Sequence, residues 1–232
     1  MLTGSQLEQL LINFKTKYNH EGIHAWALRD KAARYLAASP DYLHMLNKAV
    51  DTPLTVNSLA LDEVSKASML YQDSLAFKSQ NKLTSLQGVI LKDRFKLLEV
   101  TRYPLSDSVD SSALALGVIV KHITAPEQLA SSVTNLTGHF PSNLCKNLKE
   151  RDFMIGLLLL DNWSHSAIAN SLQISYSRLN HIFFRICRSN FGVAGGGAKF
   201  RELFIQNALY RQVPLNILKE YLALNNISHA DI

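Results

Sequence analysis

The sequence predicts an α+β chain, with a five-strand region and its helices followed by an all-α region. Three observations carry that prediction. Five short runs rich in Val, Ile, Leu and aromatic residues fall before residue 125, ordered as two strands, several helical turns and three strands. From residue 148 onward, apolar residues recur at helical spacing instead. The chain has 232 residues, 47% hydrophobic and 19% charged, which suffices for two small globular domains.

Residues 4–18 read as an amphipathic helix, with Leu7, Leu10, Leu11 and Phe14 at i, i+3, i+4, i+7. Two short strands are expected at 23–29 and 34–38, joined by a hairpin turn at Asp30-Lys31. Ser39-Pro40-Asp41 starts a helix that sets Tyr42, Met45 and Leu46 on one side. Residues 57–80 hold two or three short helical turns of weak periodicity. Strands then follow at 85–91, 95–103 and 113–124, broken at Lys92-Asp93-Arg94 and at 106–110. A short helix at 127–136 leads to a break around Gly138 and Pro141. The division is an N-terminal helix (1–19), a sheet domain (20–124), a linker (125–146), a helical domain (147–212) and a C-terminal helical extension (213–232).

The helical domain has the spacing of a helix-turn-helix. Helix one, 149–160, buries Phe153, Leu157 and Leu160. Helix two, 165–172, is capped by Ser164 and turns Ile168, Ala169 and Leu172 inward. Ser175 caps helix three, where Leu179, Ile182, Phe183 and Ile186 form the buried stripe. Its other side offers Tyr176, Ser177, Arg178, Asn180, His181, Arg185 and Arg188. Arginine pairs bidentately with guanine and asparagine with adenine, while hydroxyls and guanidinium groups hold phosphates. Ser175, Tyr176, Ser177, Arg178, Asn180, His181, Arg185 and Arg188 are therefore the candidate DNA-binding residues. A fourth helix, 198–210, carries Phe200, Leu203, Phe204 and Leu209, and Pro214 opens a fifth at 215–224.

Charge supports the same partner. The formal net charge is +5, and residues 141–232 carry 10 Lys/Arg against 6 Asp/Glu. No acidic residue lies between Asp161 and Glu202. A basic half of this kind suits an anionic partner.

Other chemistry is not indicated. Cys145 and Cys187 sit in no CxxC or Cys/His cluster, so neither a disulfide framework nor a zinc site is expected. His20, His24 and His44 lack a ligand pattern, and haem is not expected at His44. Gly195-Gly196-Gly197 lacks the Lys-Ser/Thr of a phosphate loop. No nucleophile–base constellation is legible, so no enzyme and no cofactor are expected. The apolar run 155–160 is too short to span a bilayer, and a cytoplasmic protein with reduced thiols is expected.

Two resemblances add to this reading. The segment from Trp26 through Asp30, Arg34, Ser39, Pro40 and Tyr42 resembles the opening of a PAS domain, and the similarity extends over residues 20–124. It implies a five-stranded antiparallel sheet with helices packed on one face. Leu148, Arg151, Asp152, Ser164, Ile168, Ala169, Leu172, Ile174 and Ser175 resemble the LuxR/NarL-type helix-turn-helix. Departures are Lys149 for Thr, Asn162 for Gly, Ala167 for Glu, Arg178-Leu179 for Thr-Val and Ile182 for His, with 188–192 about one residue longer. Together the resemblances imply a bacterial or plasmid-encoded transcription regulator, an activator similar in layout to conjugation regulators of the TraJ type. They imply double-stranded promoter DNA as partner, a homodimer, a contact with RNA polymerase and no membrane. They do not assign ligand-binding residues in the PAS cavity. The alternative is a PAS-mediated interaction module whose helix-turn-helix serves as a partner surface, an anti-regulator; Phe184, pointing away from the buried stripe, fits that reading.

Overall fold

The computed structural model describes residues 3–18, 25–46, 54–59, 61, 63–91, 93–106, 112–133 and 148–230. The chain divides into two compact units: residues 1–87, 97–123 and 132–138, and residues 88–96, 124–131 and 139–232.

The first unit starts with α1 (Gly4–Tyr18), then β1 (Trp26–Asp30), β2 (Tyr35–Ala38), α2 (Pro40–Met45), a short 3-10 turn (Val56–Ser58) and α3 (Glu63–Ser79). β3 (Leu83–Leu91), β4 (Arg94–Leu105) and β5 (Ala115–Ile123) follow, with residues 88–91 of β3 and 94–96 of β4 counted in the second unit. The five strands form one antiparallel sheet in the order β2-β1-β5-β4-β3. β5 lies in the middle, pairing Trp26–Asp30 on one side and Leu97–Leu105 on the other. A central strand is covered on both faces, so residues 115–120 are buried without interruption.

The β1–β2 turn forms because the Asp30 carboxylate accepts from the backbone N–H of Ala32 and of Arg34, both at 2.9 Å. Ser39 Oγ accepts from Trp26 N at 3.0 Å and from Tyr42 N at 3.2 Å, so one hydroxyl ties the strand to the start of α2.

Successive strand residues face opposite ways. Tyr103 joins the cluster of Phe14, Leu28 and Ile119, whereas Arg102 bonds to Asp73 on α3. α1 therefore covers one face of the sheet and α3 the other. Within residues 20–124, α3 packs on one face as expected, and α1 (Gly4–Tyr18), expected as a separate N-terminal helix, covers the second face. Gly117 makes this possible, since a Cβ there would lie 2.2 Å from the Phe14 ring.

The expected short turns over 57–80 are corrected to a 3-10 turn and one 17-residue helix. Its buried stripe is Ser65, Met69, Asp73 and Ala76, while Val64 and Tyr71 are exposed. Polar residues inside and apolar residues outside erase the hydrophobic period that sequence reading depends on.

α4 (Pro126–Val133) matches the start of the expected 127–136 helix. The expected break at 138–147, Cys145, His20 and His24 lie outside the described residues.

The second unit holds α5 (Glu150–Leu160), α6 (His165–Ser171), α7 (Tyr176–Phe191), α8 (Gly197–Gln206), a 3-10 turn (Leu209–Arg211) and α9 (Leu215–Ala230). α5 is its centre: every residue from Asp152 to Leu160 is buried, because α8 and α9 both pack against it. The expected stripe of Phe153, Leu157 and Leu160 thus widens to the whole circumference. Gly156 admits the Phe204 ring of α8, which would stand 2.4 Å from a Cβ. α9 buries Ile217, Leu218, Tyr221 and Leu222, and Tyr221 donates to Asp161. The extension is part of this core.

Among the described residues no helix is long and apolar enough to cross a membrane, and no group of three or more His, Cys, Asp or Glu is placed to hold a metal.

Candidate nucleic-acid interface

The candidate surface is the outward side of α7. Two chain reversals aim it. α5 ends at Asp161, and Asn162 takes the left-handed conformation with φ 62°. Asn162 N donates to Leu159 O at 3.1 Å and Trp163 N to Leu158 O at 3.0 Å, the paired bonds of a Schellman turn. Asparagine tolerates this φ better than most residues, which explains how it replaces the usual glycine. The same turn recurs after α6: Gln173 has φ 53°, Gln173 N donates to Asn170 O and Ile174 N to Ala169 O.

Each following helix is capped by serine. Ser164 Oγ accepts from Ala167 N and Ser175 Oγ accepts from Arg178 N, both at 3.1 Å. Ser175 has a structural duty as well as an exposed position at the tip of α7. α7 ends at Gly192, whose φ of 67° is left-handed.

Leu179, Ile182, Phe183 and Ile186 are buried, as expected, and Cys187 joins them. Leu172 is only half-buried, whereas Ile168 and Ala169 are buried. Tyr176, Ser177, Arg178, Asn180, His181, Arg185 and Arg188 are all exposed. At 100° per residue, Ser177, His181, Phe184 and Arg188 form the line most directly opposed to the buried stripe. Arg178 and Arg185 flank it on one side, and Tyr176 and Asn180 on the other. Among the described residues, Arg178, Asn180, His181 and Arg188 have side chains with no hydrogen bond or ion pair. Their polar groups face solvent.

Arg185 differs. Its Nη2 donates to Asp152 Oδ1 at 2.8 Å, while Asp152 Oδ2 accepts from Lys149 N at 3.0 Å. The Asp152 side chain is buried and the Arg185 side chain is 42% exposed. Lys149, Glu150, Arg151, Asp152, Arg178, His181, Ile182 and Arg185 line a cleft of about 590 Å³ between the start of α5 and α7.

Phe184, expected from the sequence to point away from the buried stripe, lies on the outward line and is 48% exposed among polar neighbours.

The first unit has the architecture of a PAS-type domain, a five-stranded antiparallel sheet with α2 and α3 after its opening hairpin. α5, α6 and α7 form a helix-turn-helix, with α8 and α9 packed against α5. No family model matches the chain, and no curated protein matches it. Among solved structures the chain is similar to the phage VqmA–DPO complex, at 18% identity over 91% of this chain and 95% of that one, with a TM-score of 0.46. It is also similar to the Vibrio cholerae VqmA–ligand–DNA complex, at 18% identity over 94% and 93%, with a TM-score of 0.43. The PAS domain of Bordetella pertussis BvgS is similar at 17% identity over 53% of this chain and 93% of that domain, with a TM-score of 0.40.

Proposed function

We propose that the protein is a sequence-specific, double-stranded DNA-binding transcription regulator that acts as a homodimer. In this reading α7 enters the major groove. The observation that carries it is the outward face of α7: Ser177, Arg178, Asn180, His181 and Arg188 are exposed and unengaged on a helix whose other side is fully buried. The acid-free stretch 162–201 supplies the matching charge. Arg178 and Asn180, near the start of α7, read base edges. Tyr176, Ser177, His181 and Arg188 hold the helix on the phosphates, and the PAS-type unit supplies sensing or dimerisation. An activator that contacts RNA polymerase is the finer form of this reading.

The test is a mobility-shift titration on sites recovered by genomic footprinting. Arg178→Ala should weaken the specific site by about tenfold or more and relax preference at one position. Arg188→Ala should weaken all sequences alike and reduce the salt slope by about 1. Unchanged binding by both variants would sink the assignment.

One observation favours a second reading. Tyr176 and Phe184 are both about half exposed on α7. Two exposed aromatic rings suit a protein partner, so the helix-turn-helix would bind another regulator. Full-length protein that retains such a partner but has no DNA affinity at low salt supports this alternative.

A further inference from the structure

The face of the sheet covered by α3 carries a charge arrangement that DNA binding does not use. Arg29 on β1 and Arg102 on β4 are both fully buried, and α3 sets one carboxylate, Asp73, against them. Arg29 Nη2 donates to Asp73 Oδ1 at 3.0 Å, and its Nη1 lies 2.8 Å from Oδ2 without hydrogen-bond alignment. Arg102 Nε donates to Asp73 Oδ1 at 2.7 Å and Nη1 donates to Ser85 Oγ at 3.1 Å. Arg29 Nε and Arg102 Nη2 have no acceptor.

Tyr42 does not supply a second negative charge. The hydroxyls of Tyr35 and Tyr42 bond to each other at 2.9 Å, and the Tyr35 ring lies 5.6 Å from the Arg29 guanidinium. Burial, followed by the Tyr35 neighbour, pushes the Tyr42 hydroxyl well above its ordinary pKa, so it stays neutral.

Among the described residues of this unit, two buried cations and one buried anion leave one positive charge in the core. An uncompensated interior ion is strongly unfavourable. A buried lysine would discharge by losing its proton, but arginine keeps its charge in proteins. The shortfall falls on Arg102: burial draws its guanidinium below its ordinary pKa and the like charge of Arg29 adds to this, whereas at Arg29 the burial penalty is outweighed by Asp73 and the neighbouring tyrosines, which hold its pKa above the ordinary value. Among the described residues, Arg29 Nε and Arg102 Nη2 are buried donors without an acceptor.

We propose that the PAS-type unit binds one small organic acid, its carboxylate held by Arg29 and Arg102 beside Asp73. One negative charge brings the cluster to neutrality, whereas a phosphate dianion overshoots it. A planar carboxylate also matches the guanidinium donors in shape.

The experiment is equilibrium dialysis of the full-length chain against labelled acetate, with chloride holding ionic strength constant. One acetate per chain, taken up saturably and not displaced by equal chloride, is the expected result. Where a tighter acid occupies the site from the cell, denaturing the purified protein releases one organic acid per chain, which also supports the proposal. Arg102→Gln leaves Asp73 and Arg29 as a balanced pair, so it should keep its circular dichroism and bind acetate at least about tenfold more weakly. Arg102→Lys keeps the charge without the fork and should fall between the two. No saturable uptake together with no released acid would overturn the proposal, as would displacement by equal chloride. Wild-type affinity in both Arg29→Gln and Arg102→Gln would overturn it too. The wild-type measurement stands even where a variant fails to fold.

Discussion

Asp152 and Arg185, 33 residues apart, hold the outward helix to the start of α5 through a single 2.8 Å hydrogen bond. The same carboxylate caps α5 by accepting from Lys149 N. Asp152 is thus a part of the fold that also sets where Arg185 points.

Asp152→Ala should lower stability by about 1–3 kcal/mol, combining a lost cap and a lost charge-assisted bond. Most of that comes from the cap, because Arg185 is 42% exposed and solvent screens the pair. A double-mutant cycle with Arg185→Ala, followed by urea denaturation, measures the coupling, expected to stay at or below about 1 kcal/mol. A coupling well above that would show that the ion pair, not the cap, dominates.

Phe184 sits on the outward line of α7 between His181 and Arg188, where an apolar ring can meet a thymine methyl. Replacing thymine by uracil in the bound site removes that methyl alone. At one or two positions wild-type affinity should fall about fourfold, the ~0.8 kcal/mol of one buried methylene-sized group. Phe184→Ala should be insensitive to the same replacement. Equal sensitivity in both proteins would assign the effect to another residue.

Removal of α9 should unfold the second unit. Ile217, Leu218, Tyr221 and Leu222 are buried, each contributing roughly 1.5–3 kcal/mol. Their sum is comparable to the whole stability of a domain, about 5–15 kcal/mol. A chain ending at residue 212 should show rapid proteolysis within α5 to α8, and a protected core there would refute this role.

Alkaline pH should weaken the fold through its buried hydroxyls. Burial, and then the Asp161 charge, raise the Tyr221 hydroxyl far above its ordinary pKa, and burial does the same for Tyr42. The unfolded chain ionises these tyrosines near pH 10. Their contribution is therefore complete below about pH 10 and is progressively lost above it as the unfolded state releases protons. Denaturation midpoints measured from about pH 8 to about pH 11 should fall at the alkaline end, and less steeply in Tyr221→Phe. A flat profile in the wild type would contradict this.

Much of the second unit was legible because its determinants are local. Ser164 and Ser175 cap helices three residues ahead of the amide each accepts from. Leu179, Ile182, Phe183 and Ile186 keep helical spacing, and α7 is polar on its other side. The Asp30 turn and the Ser39 cap were readable for the same reason. α3 was not legible as one helix, because its buried stripe includes Ser65 and the charged Asp73 beside Met69 and Ala76.

The sequence alone determined the order of strands and helices, the caps and the buried stripe of α7, all of which arise within a few residues of one another. Tertiary structure alone decided that α1 closes the second face of the sheet, that α9 completes the core around α5, and that Arg29 meets Asp73 44 residues away while Arg102 meets it across 29. Such pairings depend on which strand lies beside which and on which face each side chain takes, and no local period encodes either.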